Sequence, residues 1–228
     1  MVNLYAIAGC YVVVGLFSRL NHKVQFVVKV INMALITVVS ATVSISCAPV
    51  LMLMGQRSSL NWLTGRVFYG LSTVMLGVNV VIENPEILDK TKPCIMIGNH
   101  QSVIDLIWLG ASFPRSAVIL AKKVSVFFFP EGTRGTHKDG PDMLQFKVGA
   151  FLLAKLAKVP IVPVVVSDFH NIIDSKRWWF PGGTIKLRVL PPIDLSNVDE
   201  DKLGPTISEI RETMLKNLIE ISPERTSH

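Results

Sequence analysis

The sequence predicts an α/β sandwich preceded by hydrophobic helices embedded in a membrane, and three observations lead there. The first 82 residues contain no Asp or Glu and hold three apolar stretches. From Glu83 onward the charge is mixed, and short apolar runs bounded by Gly and Pro alternate with helical patterns. Charged residues make up 18% of the 228 and hydrophobic ones 50%, against roughly 25% charged in an average soluble protein. This composition excludes a disordered chain and an ordinary fully soluble one. The expected division is a membrane-embedded region over 1–77 and an α/β domain over 78–228.

The net charge of +6 is unevenly placed. Arg19, Lys23, Lys29, Arg57 and Arg66 put +5 on residues 1–82, whereas 18 basic and 17 acidic residues leave +1 on the rest. Basic residues set between apolar stretches suit lipid headgroups better than a DNA groove, so a bilayer and no nucleic acid is the expected partner. Cys10, Cys47 and Cys94 are odd in number and without C-x-x-C spacing, which excludes a disulfide framework and a structural zinc site.

Along the chain, Val2 to Ser18 is uncharged and at the short end of the ~17 to 25 residues a spanning helix needs. Val30 to Gln56 is uncharged and long enough to cross, with Pro49 expected to kink or end it. Val67 to Ile82 is too short for a third span once Val78 to Ile82 is read as the first strand. Cys94 to Ile97 reads as a buried strand and Ser102 to Ser112 as a helix stopping before Phe113-Pro114. Ala117 to Leu120 and Val124 to Phe129 are further strands. Phe146 to Lys158 is amphipathic and helical. Ile161 to Val166 is wholly apolar, hence a central strand despite Pro163. Thr184 to Leu190 alternates like a strand with one wet face, and Asp201 to Ile221 closes the chain as an amphipathic helix.

Two clusters can carry chemistry. In Asn99-His100-Gln101-Ser102-Val103-Ile104-Asp105, a strand meets a helix, so His100 ends the loop and Asp105 stands in the first turns. A helix N-terminus suits a carboxylate, and a neutral imidazole oriented by one is a general base. No Ser or Cys nucleophile is placed beside it, which leaves the substrate's own hydroxyl as the group deprotonated. The same spacing recurs from His137 to Asp142, in a Gly/Pro-bearing loop that reads as a solvated turn. In the second cluster, Phe127 to Phe129 run into Pro130-Glu131-Gly132-Thr133-Arg134-Gly135. A strand end carrying glycines and a guanidinium suits a phosphate: Arg134 clamps it, Gly132 and Gly135 let backbone N–H groups approach, and Glu131 fixes the arginine or a substrate hydroxyl.

Together these motifs resemble the glycerolipid acyltransferases, and within them the 1-acylglycerol-3-phosphate acyltransferases of membranes. N-H-x4-D is matched by Asn99, His100 and Asp105, F-P-E-G-T-R by Phe129 to Arg134, and V-P-[IV]-V-P-V by Val159 to Val164. The resemblance implies that family's α/β sandwich, a mixed sheet flanked by helices, and residence in a membrane, that of the endoplasmic reticulum. It implies transfer of a fatty acyl group from acyl-CoA, as co-substrate, to the sn-2 hydroxyl of lysophosphatidic acid, giving phosphatidic acid, with no metal and no cofactor. His100 and Asp105 would be catalytic, and Glu131, Gly132, Thr133 and Arg134 would bind the substrate phosphate.

One departure from the family pattern stands out. Only Val124 to Phe128 separate Lys122-Lys123 from Phe129, where the family has a helix, a strand with a second phosphate-binding arginine, and another helix. The domain is therefore read as internally shortened after Lys123, with a gap expected in its sheet. This motivates an alternative function: a catalytically weak or inactive truncated form that binds membrane, lipid or a full-length partner. Trp178-Trp179-Phe180-Pro181-Gly182-Gly183, with Lys176 and Arg177 beside it, reads either as an interfacial patch or as a loop whose aromatics cap the core.

Overall fold

The computed structural model describes residues 21–56, 59–112, 125–135 and 140–224. The expected span at Val2 to Ser18, the strand at Ala117 to Leu120, the Lys122-Lys123 pair and His137 lie outside these residues.

The chain first forms a 32-residue helix, α1 (His22–Leu53). It starts earlier than the uncharged run, because Asn21 caps it by accepting the Lys23 N–H at 2.9 Å and the Val24 N–H at 3.4 Å. The helix continues past Pro49 to Leu53. Pro49 lies in the last turns and deprives only the Ile45 carbonyl of its donor, so the helix is not broken there. Mean hydropathy reaches 2.0 over its best 18-residue window, and only 17% of that window is buried, which makes α1 long and apolar enough to cross a bilayer and unlike a core helix. Ile45 and Leu53, for example, are 73% and 89% exposed.

A second helix, α2 (Ser59–Leu76), packs along α1. Its apolar end alone is apparent from the residue pattern. Lys29 of α1 reaches over α2's end and donates to the carbonyls of Leu76 at 2.6 Å and Pro181 at 2.7 Å. Phe68 and Leu76 of α2 and Ile36 of α1 belong to the same core as the strands, so the chain passes residue 77 within one continuous core.

The strands are β1 (Val78–Glu83), β2 (Ile95–Gly98), β3 (Val126–Phe128), β4 (Ile161–Val166) and β5 (Gly183–Val189). A short helix, α3 (Glu86–Lys90), follows β1, and α4 (Asp105–Ser112) follows β2. Then come α5 (Gly149–Ala157) before β4 and α6 (Glu200–Ile221) after β5. The sheet order is β1-β5-β4-β2-β3. Only β4 and β5 pair antiparallel, so the sheet is mixed. No gap interrupts it among the described residues: β3 pairs directly with β2, Ile95 to Val126, Met96 to Phe127 and Ile97 to Phe128. The expected gap is thus corrected, because three apolar residues suffice to bring Phe129 and the Pro130 to Gly135 turn to the end of β2.

The pleat divides the core. Met96, Val162, Val164 and Val166 face a cluster with Trp108 of α4 and the α1–α2 pair, whereas Ile95, Ile97, Ile161 and Val165 face Phe151 of α5 and Ile207, Met214 and Leu218 of α6. Every residue of β4 is buried, as a central strand demands.

At one point two helices touch through backbone alone. A β-carbon built on Gly65 of α2 would lie 3.0 Å from Gly110 Cα in α4, and one built on Gly110 would overlap the Gly65 carbonyl oxygen. This contact sets how closely α4 lies on α2, and α4 carries Asp105. Gly110→Ala is expected to push the helices apart and destabilise the fold by about 1 to 3 kcal/mol. A drop in the thermal unfolding midpoint of the detergent-solubilised protein checks it.

Candidate active site

The carboxyl ends of parallel strands β2 and β3 lie side by side and deliver the two motifs to one place. Asn99 leaves β2 and uses its side chain as a strand extension. Its Nδ2 donates to Val166 O at 2.9 Å, and its Oδ1 accepts the Val166 N–H at 2.8 Å, tying the end of β2 to the end of β4. Gln101 adds Nε2 donations to the carbonyls of Val166 and Ser167, each at 3.0 Å.

Asp105 opens α4 and is 2% exposed. Its Oδ2 accepts from His100 Nδ1 at 2.7 Å, from the Gln101 N–H at 2.9 Å and from the Ser102 N–H at 3.0 Å, and its Oδ1 accepts from Trp108 Nε1 at 2.9 Å. A buried carboxylate with this many donors is fixed in orientation by the backbone and the indole as well as by the histidine. Nδ1 faces a carboxylate and so carries the ring proton, leaving Nε2 with a free lone pair. The His100 ring stacks on Phe129, centroids 4.0 Å apart, and Phe129 in turn meets Trp108 edge-on. Sequence reasoning missed Trp108, Gln101 and the stacking of Phe129; a Trp three residues after the Asp, one helical turn on, was the available signal for the first.

Glu131 takes a different place from the phosphate contact expected of it. It is 3% exposed, its Oε1 accepts the His100 N–H at 2.8 Å, and its Oε2 accepts the Leu144 N–H at 2.9 Å. A carboxylate turned inward onto two backbone donors holds the His100 backbone in place. The Gly135 N–H donates to His100 O at 2.9 Å, so the turn grips that residue from both sides. Gly132 adopts φ +70° within the turn. Thr133 and Arg134 are exposed, and Arg134 has no ion-pair partner among the described residues.

Beside this turn lies a cavity of about 880 Å³, whose walls include Ser102 and Arg134 at one side and Phe26 and Val30 of α1 at another. Lys176 and Arg177 also line it. In the loop that carries them Phe180 is buried, whereas Trp178 is 48% exposed with its ring 5.5 Å from that of Phe26. The loop thus caps the core through one aromatic and offers another at the surface. Cys94 is no nucleophile: it precedes β2, at the opposite strand end from His100, and burial pushes its thiol pKa up.

Comparison with known proteins bears on this arrangement. A family model described as Acyltransferase matches residues 79–125 and 117–167. The chain is 31% identical to the 1-acyl-sn-glycerol-3-phosphate acyltransferase of Saccharomyces cerevisiae, over 91% of this chain and 80% of that one. It belongs to the 1-acyl-sn-glycerol-3-phosphate acyltransferase family. The human enzyme designated beta is 27% identical, over 95% of this chain and 91% of its own. The crystal structure of the 1-acyl-sn-glycerophosphate acyltransferase of Thermotoga maritima superposes with a TM-score of 0.68, at 20% identity, over 87% of this chain and 99% of that one, and so shares the fold. The yeast alignment runs over 250 positions, whereas 91% of 228 residues is about 207, so about 43 positions stand opposite no residue here. The two pieces of the family match meet over residues 117–125.

If Glu131 holds the dyad in place, Glu131→Ala leaves two N–H donors unpaired in a site that was closed. The expected cost is about 1 to 3 kcal/mol for each buried donor that water cannot reach. The unfolding midpoint should fall, and backbone amide exchange at His100 and Leu144 should rise selectively.

Proposed function

We propose that this chain moves a fatty acyl group from acyl-CoA to the sn-2 hydroxyl of lysophosphatidic acid, forming phosphatidic acid for glycerophospholipid synthesis. The observation that carries the reading is the His100–Asp105 contact at 2.7 Å, which leaves Nε2 as a base. Among the described residues no serine or cysteine hydrogen-bonds His100, which supports direct attack without an acyl-enzyme. In that step His100 Nε2 takes the hydroxyl proton while the substrate oxygen attacks the thioester carbonyl. Collapse of the tetrahedral intermediate breaks the C–S bond, and the imidazolium returns its proton to the departing thiolate. Asp105 steadies the imidazolium, and Glu131 positions it through the backbone. Arg134 and the Thr133 N–H face the substrate phosphate, whereas the Gly132 N–H is taken up by the Phe129 carbonyl at 3.1 Å.

A second reading draws on the unmatched alignment positions: a form without a block that its relatives have would also be without part of the phosphate site. Such a form binds membrane, lipid or a full-length partner and turns over slowly. Intact pairing of β3 with β2 keeps the dyad in place, so loss of activity would come from substrate binding rather than from the base. One assay addresses both readings, with purified chain, labelled acyl-CoA and lysophosphatidic acid. Phosphatidic acid formation is expected to be weak for the chain as it stands and stronger with the relatives' block inserted. His100→Ala should lower it by about 10² to 10⁴ in either background, and His137→Ala should leave it unchanged. Formation that survives His100→Ala would overturn the mechanism.

Residence as an integral membrane protein, in the endoplasmic reticulum, belongs to the same proposal. The exposed apolar length of α1 supports it. The protein should stay with membranes through an alkaline carbonate wash, and its release into the supernatant would contradict the assignment.

A further inference from the structure

The turn that carries Arg134 has a second cation lying across it. A β-carbon built on Gly132 would sit 2.6 Å from Lys147 Nζ, 2.7 Å from its Cε and 2.9 Å from its Cδ. The lysine side chain therefore occupies the face that glycine leaves bare. This placement is fixed from the backbone. The Lys147 N–H donates to Pro130 O at 2.8 Å, and three residues earlier the Leu144 N–H donates to Glu131 Oε2. Both anchors lie in the stretch Pro130-Glu131 that leads into Gly132, Thr133 and Arg134. Neither Lys147 nor Arg134 has a carboxylate partner among the described residues; Asp142, which lines the same cavity as Arg134, pairs with Arg211. Glu131, the nearest acid in sequence, is turned inward onto backbone N–H groups. A cation on the turn and another lying across it, neither with a carboxylate partner among the described residues, suit an anion between them, and a phosphate monoester carries about −1.5 to −2 near neutral pH.

We propose that Lys147 is the second cation of the phosphate site, so that the monoester of lysophosphatidic acid is held between the Arg134 guanidinium and the Lys147 ammonium over the Gly132 backbone. The proposal rests on the reading of the Gly132 to Arg134 turn as the lysolipid phosphate site. It gives this shortened chain a two-cation clamp made from residues that flank one turn, and gives Gly132 a second reason to lack a side chain.

The test is equilibrium binding to the full chain in detergent, with no acyl donor present. Three probes are used: lysophosphatidic acid, the monoacylglycerol with the same acyl chain, and coenzyme A, which carries phosphates of its own. Lys147→Gln is expected to weaken lysophosphatidic acid binding about tenfold or more, and Lys147→Arg to retain most of it. Gly132→Ala, whose methyl group evicts the lysine, should weaken it similarly. Monoacylglycerol and coenzyme A binding should stay at their original values in all three variants, and Lys202→Gln should change nothing. Lys147→Gln binding lysophosphatidic acid as the unmodified chain does would overturn the proposal. So would an equal loss for monoacylglycerol, which marks a structural lysine, or a loss confined to coenzyme A, which assigns the cation to the donor. Arg134→Gln separates this idea from the one beneath it. If Arg134→Gln weakens lysophosphatidic acid binding and Lys147→Gln does not, only Lys147 is misassigned. If neither does, or the unmodified chain prefers no phosphate-bearing lipid, the phosphate site is elsewhere and both readings fall.

Discussion

The buried carboxylate of Glu131 is the constraint on which the site depends. It stands just past β3, yet its two oxygens hold the backbone just past β2 and the segment leading to α5. Three stretches far apart in sequence meet at one ion. Because the carboxylate is removed from water, losing those N–H groups would strip two hydrogen bonds from buried oxygens. The geometry of His100 is therefore coupled to the position of β3, and through Leu144 to the segment that carries Lys147. A sheet that lost the pairing of β2 with β3 would lose the placement of His100 as well.

Asp105 shows a related economy. One carboxylate orients the imidazole, ties down the loop before α4 and receives the indole N–H of Trp108. The indole and Phe129 then form the wall on which the imidazole lies. Orientation thus comes from hydrogen bonds at one edge of the ring and from stacking on its face, two restraints that fix different degrees of freedom.

The strands after Glu83 are legible because each is short, apolar and closed by Gly or Pro, and β4 announces its central place by having no polar residue at all. The H-x4-D and Glu-Gly-Thr-Arg clusters are legible as candidates because each follows directly on an apolar strand, at the strand ends where α/β folds place ligands. What a sequence cannot show is direction. Glu131 beside Arg134 reads as a surface pair or a ligand contact, and only the fold reveals that the glutamate turns inward while the arginine turns out. Helix α2 escapes the pattern because Gly65 and Gly70 dilute it, and Gly65 is there to meet Gly110, a neighbour 45 positions away. The start of α1 is hidden because Lys29 interrupts the apolar run; its charge is spent on two carbonyls, which no local rule anticipates.

Those two bonds from Lys29 have a mechanical meaning. They join the long apolar helix to the end of α2 and to the loop before β5, and Phe26 and Trp178 reinforce the joint one turn away. The helix is therefore no tether on a swivel but a fixed keel. If α1 lies in a bilayer, the depth and tilt of the whole domain are set by it, and the cavity walled by Phe26 and Val30 opens at one height above the hydrocarbon.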